Sequence, residues 1–461
     1  MASTAPEAAP ARPSHDLSYL AGKHILITGA GISGLSFPLA LHKQWTSSSQ
    51  HLLPKITIIE RDSKLDRLGP RQGYSLSVRS DGSRGGGVQV LDDLGLYEAC
   101  RDVAVLSDDT DGMEAGMDSP AMCLWEPIGQ EKKWKEILRI DASKVENHTK
   151  RKLGGMRIRR NALQQVLADA AEKLLDVEIL WGTAVVDVWR HGEDGFRPDE
   201  GEVILTLSNG SKTRCDILLA CDGAKSKIRK IVRPDLDTPY NGLDFAECVS
   251  ITGTAKYETT EHVPKMFRSH WGLAFDFRSG VSSFISPVDP ESLIWSVSYR
   301  SRKPVEEMKQ PLNRTDGEIL LERARELAAF AGSTLIDMVD RTDTDTLMQL
   351  NAMDRPPFHH NLSGDGNVIF LGDANHAVSP FAGNGANMAL IDSWDLAKAV
   401  VQNNALQDTV GAFDVEMLPR CQTVLNESRR NIGVAHAVGW YGWFCWSMVR
   451  VLGWWMRLRT S

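Results

Sequence analysis

The chain has 461 residues, 42% of them hydrophobic and 24% charged, which is ordinary globular composition with material for two domains or one large interleaved one. Its net charge of −8 offers no basic face and argues against a nucleic-acid partner. Seven scattered cysteines (Cys100, Cys123, Cys215, Cys221, Cys248, Cys421, Cys445) contain no C-x-x-C pair, so neither a disulfide framework nor a zinc site is expected, and a reducing, cytoplasmic setting is.

The first residues, MASTAPEAAPARPSH, have no apolar core and cannot be a secretory signal; residues 1–20 read as a disordered tail. An apolar run at Ile25–Ile27 then passes into G-A-G-I-S-G, with Gly29, Gly31 and Gly34. Between a strand and a helix, these glycines allow a tight turn, close backbone approach to a pyrophosphate and close helix–strand packing. The helix N-terminus adds free N–H groups and a positive dipole end. A second strand, Lys55–Ile59, ends on Glu60, a residue type that accepts hydrogen bonds from ribose hydroxyls. Glu60 lies 26 residues beyond Gly34, the excess over the usual spacing residing in the polar insert TSSSQHLLP. The pattern predicts a dinucleotide with a free 2′-hydroxyl and leaves NAD and FAD both open.

Met156–Leu174 reads as a helix with Leu163, Val166, Leu167 and Ala170 on one face, and Arg160 leads into it. Strands are expected at Val177–Leu180, at Val203–Leu207 and in CDILLACDG, where Asp222-Gly223 closes a buried run. A carboxylate in that place suits hydroxyl or amide binding, and by itself equally suits a helix cap. His270–Arg302 alternates apolar and polar residues as antiparallel strands do, with His270, Trp271, Phe275, Phe277 and Trp295 available to line a pocket or fill a core. Residues 303–355 are charge-rich and partly helical, and are expected outside that sheet.

Val368–Leu371 is a further buried strand with Gly372-Asp373 at its mouth, and Met388–Val401 a helix preceded by Gly383 and Gly385. Asp373 is placed to bind a polyol or ribose where open α/β sheets take ligands, at the carboxyl ends of their strands. Finally, Ala437–Met456 (AVGWYGWFCWSMVRVLGWWM) carries five tryptophans and one charge, Arg450. Its length meets the ~20 residues of a bilayer span. Tryptophan favours the membrane–water interface, so a helix lying on a membrane fits better than a span, and competes with one packed on the protein's own surface.

Three motifs in this order carry a resemblance: G-x-G-x-x-G (Gly29, Gly31, Gly34), D-G (Asp222, Gly223), and G-D followed by P-x-x-G-x-G (Gly372, Asp373, Pro380, Gly383, Gly385). Over roughly residues 23–430 the chain resembles the single-component FAD-dependent monooxygenases of the aromatic hydroxylase family, which share the p-hydroxybenzoate hydroxylase fold. RQGYSLSVRSDGSRGGGVQVLDDLGLYE and PFAGNGANMAL look most like fungal secondary-metabolism and tetracycline-inactivating members. One departure is ACDG where GADG is usual, which alters local packing around Asp222.

The resemblance implies an α/β plus β fold: a Rossmann-like FAD-binding domain interleaved with a β-sheet substrate domain, and a C-terminal helical extension. The FAD-binding domain would comprise residues 21–100, 155–235 and 360–430, the substrate domain 101–154 and 236–359, and the Trp-rich helix 431–461. It implies that Glu60 binds the adenosine ribose, Arg160 the pyrophosphate region and Asp373 the ribityl chain. The amides of Gly385 and Ala386 would approach the isoalloxazine, and Asp222 would support the cofactor. By the same token NADPH or NADH reduces the flavin, O₂ adds to form a C4a-hydroperoxyflavin, and one oxygen passes to an electron-rich aromatic or polyketide-type molecule. No catalytic residue or metal ligand is singled out. The alternatives are epoxidation or oxidative cyclisation of a terpenoid or indole alkaloid, and a non-catalytic relative that keeps only the nucleotide scaffold. Oligomeric state is not legible.

Overall fold

The structure is a computed structural model that describes residues 19–45, 53–64, 74–81, 86–107, 120–141, 144–146, 150, 152–189, 202–362 and 367–460. Most of the expected tail lies outside these residues, but its last two belong to the fold: Leu20 is buried in the core and the Tyr19 hydroxyl is 2.8 Å from Thr409 Oγ1.

Five parallel strands form one sheet in the order Val177–Leu180, Lys55–Ile59, His24–Thr28, Ile217–Ala220 and Val368–Phe370. All but the edge strand Val177–Leu180 are largely apolar runs, as strands covered on both faces require. On one face Ile25, Ile27, Ile58 and Leu219 meet Leu35 and Leu41 of helix Ile32–Gln44, Leu163 and Leu167 of Arg160–Ala171, and Leu390 and Leu396 of Gly385–Gln402. On the other face Leu26, Leu218 and Phe370 meet a small antiparallel sheet (Val185–Trp189, Val203–Leu207, Lys212–Cys215) and helix Lys227–Val232. Parallel neighbours far apart in sequence thus bring three chain segments to one set of strand ends.

A second sheet of seven strands has the order Thr342–Asp354, Asp244–Lys256, Ser292–Arg300, Val281–Asp289, His270–Asp276, Ala121–Ile128 and Lys133–Asp141. Neighbours are antiparallel except for the parallel pair His270–Asp276 with Ala121–Ile128. One face packs Ile251, Ile285, Trp295 and Val297 against Leu320, Ala324, Leu335 and Met338 of helices Arg314–Ala328 and Ser333–Asp340. Residues 303–355 therefore differ from expectation: two helices cover the sheet, but Thr342–Asp354 is its edge strand, paired along Asp244–Lys256. The segment from Met156 differs too. Met156–Arg159 is a strand between Ser75–Val78 and Leu106–Ser107, and the helix starts only at Arg160, because cross-strand partners claim the residues that helical spacing alone would include.

Helix Leu406–Ala435 leads to the C-terminal helix Gly439–Thr460. The latter buries Trp446 against Leu124, Ile137 and Leu138 of the second sheet, while Trp440, Trp443, Phe444, Val451 and Trp454 stay exposed. No helix among the described residues is long and apolar enough to cross a membrane.

Candidate functional site

The glycine-rich turn is built as its sequence demands. Gly29 has φ +95° and stands so close to the next strand that a Cβ there would lie 2.5 Å from Cys221 O. A Cβ on Gly34 would strike the Gly29 carbonyl, which is the close helix–strand contact. Gly31 is the opposite case: nothing lies within 4 Å of its missing Cβ, so the turn opens onto free space where a ligand backbone can approach. Glu60 grips this turn, its Oε2 accepting from Ala30 N at 2.7 Å and its Oε1 from Asp62 N at 2.8 Å. A carboxylate has about four acceptor positions, so two remain for vicinal hydroxyls.

At the other strand end, Gly372 has φ +60° and ψ −138° and turns the chain back across helix Ile32–Gln44, its α-carbon against the side chain of Ser33. Asp373 follows, accessible from the cleft yet enclosed by protein. Burial raises its carboxyl above the ordinary aspartate value, with Asp392 adding to the rise and His376 and Arg160 opposing it. Arg160 shares a side-chain hydrogen bond with Tyr74, whose phenol is also raised by burial although it is 39% exposed through the same cleft; Arg160 pulls it down and Asp373 pushes it up. Arg160 N donates to Tyr74 O at 2.9 Å. The structure therefore brings together Tyr74, Arg160 and Asp373, a phenol, a cation and a carboxylate from three segments.

The N-terminus of helix Gly385–Gln402 completes the cleft. It has no acidic residue in its first turn and no side-chain cap, and nothing lies within 4 Å of the Cβ position of Gly385. Its first amides, including those of Gly385 and Ala386, are free to receive an electron-rich carbonyl or anion. Two residues on, Asn387 anchors the neighbouring loop. Its Oδ1 accepts from Arg79 N at 2.8 Å and Gly87 N at 3.1 Å, and its Nδ2 donates to Ser77 O at 3.0 Å.

Asp222 does not face the cleft in this way. Its Oδ1 accepts from Ser226 Oγ at 2.6 Å and its Oδ2 from Lys227 N and Ile228 N at 2.8 and 3.1 Å, so its carboxylate caps helix Lys227–Val232. The helix-cap reading is the one seen. The motif acts through its neighbour: buried Arg229 donates to Ala374 O at 2.7 Å, Ala224 O at 2.7 Å and Asn241 O at 2.9 Å, tying the D-G turn to the G-D turn.

Behind Asp373 lies a buried ionic network. His376 Nε2 is 2.6 Å from Asp392 Oδ2, while Arg420 reaches Asp392 and Asp395, each at 2.8 Å. His376 is held well above the ordinary imidazole value: burial works against its charge, but Cys421 and Asp392 outweigh it. Asp392 is held below the usual carboxylate range despite burial, by His376 and Arg420. His376, Asp392 and Cys421 have ligand atoms within 4.8 Å of one another, yet a guanidinium already on Asp392 makes this an ion-pair lock and a poor cation site.

Of the aromatic residues offered for a pocket, Trp295 is fully buried on the helix-covered face and bonds Thr342 Oγ1 at 2.9 Å. His270 is buried beside Arg139, and Phe275 and Phe277 pack with Trp446. Strand alternation sends these residues to different faces, and only Trp271 stays near the cleft. Tyr74, Asn387, Arg229 and the His376–Asp392 pair were not singled out as site residues from sequence. Asn387 and His376 stand inside the G-D and P-x-x-G-x-G stretch and could have been suspected there, whereas nothing local marks Tyr74.

A parallel sheet with a glycine turn at one strand end, a carboxylate, arginine and phenol at another and an uncapped helix facing them defines a protein that holds an extended dinucleotide across the sheet. The open positions at Gly31 and Gly385 fit FAD. The chain belongs to the FAD binding domain family, which matches residues 23–428. It is 32% identical over 426 residues to the monooxygenase cfoF of Aspergillus candidus, covering 91% of this chain and 92% of that one. It is 27% identical over 376 residues to the chloroplastic zeaxanthin epoxidase of Oryza sativa subsp. japonica, covering 81% of this chain but 48% of that relative's length. In fold it is similar to Klebsiella pneumoniae HpxO complexed with FAD and uric acid, with a TM-score of 0.66 at 16% identity over 97% of this chain and 95% of that one. The protein is an FAD-dependent monooxygenase.

Proposed function

We propose that the protein uses NADPH or NADH and O₂ to hydroxylate an electron-rich aromatic or polyketide-type molecule. The observation that carries this reading is the convergence of Tyr74, Arg160 and Asp373 opposite the uncapped N-terminus of Gly385–Gln402. Bound FAD supplies the electron transfer and oxygen activation. The chain's own residues hold it: Glu60 the adenosine ribose, the helix after Gly31 and Arg160 the pyrophosphate, and Asp373 the ribityl hydroxyls. The amides of Gly385 and Ala386 stabilise negative charge on the ring carbonyl. Asp222 contributes only by fixing the D-G turn. We assign residues 21–100, 155–235 and 360–430 to the FAD-binding domain and 101–154 and 236–359 to the substrate domain, whose second sheet closes over the ring and excludes water.

The test is the visible spectrum of the purified protein, followed by NADPH and NADH oxidation in air with a panel of phenols, polyketides and indoles. A yellow protein whose oxidation rate rises with one compound, giving a product one oxygen heavier, supports the reading. A protein that stays colourless with added FAD sinks it. Similarity to zeaxanthin epoxidase favours a second reading, epoxidation of a terpenoid, which an epoxide product from an alkene in the same assay would establish.

The same proposal extends to the C-terminal helix. Trp440 is 81%, Trp443 62% and Trp454 60% exposed, an apolar face too large for an ordinary solvated helix and rich in the residue that prefers the lipid–water boundary. Its described charges are Arg450, which pairs with Glu126 at 2.8 Å, and Arg457, so the contact proposed rests on the tryptophan face rather than on charge. Flotation with vesicles of anionic and of neutral phospholipid tests this contact; failure to float with either refutes it.

A further inference from the structure

Helix Leu406–Ala435 runs from the cofactor domain to the second sheet, and its last turns hold the chain that leads into helix Gly385–Gln402. Ser428 Oγ lies 2.7 Å from Ser379 Oγ and 3.2 Å from Ser379 O, with both residues buried. Asn431 Nδ2 donates to Phe381 O at 3.0 Å. Just past the helix, the His436 imidazole packs against the Phe381 ring, the centroids 5.7 Å apart and the planes at 67°. Asn431 and His436 stand beyond the region shared with the family, which ends at Ser428.

The same stretch grips the second sheet. Arg429 reaches buried Asp354 at 2.6 Å and Asp244 at 3.4 Å, on two neighbouring strands. His436 is 4% exposed, and its Nε2 is 2.9 Å from Ser298 Oγ. Its Nδ1 is 2.8 Å from Ile432 O, which can only accept, so Nδ1 carries the proton and Nε2 accepts from the Ser298 hydroxyl. Burial lowers the imidazole pKa, with Arg300 adding to the fall, and the ring stays neutral. Trp295 and Val297 face the covering helices, so alternation turns Ser298 to the opposite face of the sheet. A Cβ on Gly280 would lie 2.9 Å from Val438 Cγ1 and 3.2 Å from His436 O, which shows how closely the chain leaving His436 is pressed onto this sheet.

His436 therefore joins two bodies, with one nitrogen fixed to the second sheet and its ring set against Phe381. Phe381 lies four residues before Gly385, and the left-handed Gly383 between them returns its N–H to Pro380 O at 2.9 Å. A displacement of Phe381 is passed through this tight turn to the first amides of the helix. Packing alone would be met by an apolar side chain; an imidazole with both nitrogens engaged fixes direction as well.

We propose that His436 is a positioning residue for the flavin ring: acting through Phe381, it sets residues 379–383, and with them the amides of Gly385 and Ala386, at a fixed distance from the second sheet. This rests on the reading that those amides meet the isoalloxazine, and it makes a segment outside the shared family region part of the cofactor site.

The experiment uses the FAD-loaded full chain as wild type, His436→Ala, Phe381→Ala, the double variant, and Trp446→Ala, which loosens the C-terminal helix beyond the joint. The two-electron potential of bound FAD and its visible circular dichroism report on the ring, and thermal melting reports on stability. His436→Ala should make reduction of bound FAD about tenfold less favourable, about 30 mV for two electrons, because the amides withdraw from the negative charge the ring gains. Phe381→Ala should shift the potential the same way, and the double variant no further than the larger single, since both act along one path. Trp446→Ala should keep the wild-type potential and spectrum. A His436→Ala variant that melts lower with potential and spectrum unchanged has a structural role alone and overturns the proposal. Additive shifts in the double variant overturn it too, as does an equal shift in Trp446→Ala. If His436→Ala does not fold, Phe381→Ala decides, because its side chain sits in a partly exposed turn: an unchanged potential there refutes the wedge. These failures occur in a yellow protein, whereas failure of the oxygenase reading shows as a wild type that takes up no FAD.

Discussion

Replacing Gly372 with alanine tests whether the turn before Asp373 is as constrained as its geometry states. At φ +60° and ψ −138° an L-residue is strained, which costs about 1–3 kcal/mol. The added methyl would also run into Ser33 Oγ, and overpacking of this kind costs roughly another 1–3 kcal/mol. The two parts can be separated. The next nearest atoms are Ser33 Cβ at 3.4 Å and Ala389 Cβ at 3.9 Å, ordinary contacts, so removing the Ser33 hydroxyl removes the overlap and leaves the strain. Urea unfolding should therefore show Gly372→Ala destabilised by roughly 2–6 kcal/mol and Gly372→Ala with Ser33→Ala recovering part of it, with Ser33→Ala alone near wild type. FAD retention on gel filtration should follow the same order, because the turn aims Asp373. A single variant within about 0.5 kcal/mol of wild type, or a double variant no better than the single, would refute the reasoning.

Asp373→Ala should fold but hold FAD about ten- to a hundredfold more weakly, the worth of charge-assisted hydrogen bonds to the ribityl chain, measured as flavin-to-protein ratio against added FAD. The His376–Asp392 pair predicts a pH dependence. Because the folded value of His376 is raised, its contribution is complete below the ordinary imidazole range near 6.5 and is lost as pH rises from there through the folded value. Because that of Asp392 is lowered, its contribution is complete above the ordinary carboxylate range and is lost as pH falls through the folded value. Melting temperature against pH should thus fall on both sides, and His376→Gln should flatten the alkaline limb; an unchanged limb would remove His376 from the account. Trp446→Ala deletes a side chain 7% exposed that donates to Glu126 at 2.9 Å, so about 3–5 kcal/mol of packing should go. Limited proteolysis should then cut within Gly439–Thr460 while FAD content stays the same, and equal protease resistance would count against the docking described.

What the sequence determined was the cofactor end of the protein. Gly29, Gly31, Gly34, Glu60 and Asp373 are legible because each answers a local demand: a left-handed turn, room for a phosphate, or a carboxylate at the mouth of an apolar strand. These demands are met within a few residues, so spacing reveals them. Tertiary structure decided everything that depends on which distant strands become neighbours. Met156–Arg159 is a strand against the helical spacing of its segment, and Thr342–Asp354 joins the sheet it was expected to lie outside, because partners far along the chain were available. Trp271 faces the cleft while Trp295 is core because alternation fixes opposite faces only once the register is set. Asp222 carries the expected motif, and its three hydrogen bonds from Ser226, Lys227 and Ile228 exist only once the helix behind it is packed. Charge burial is a property of packed neighbours, and a sequence states it only after the chain has chosen them.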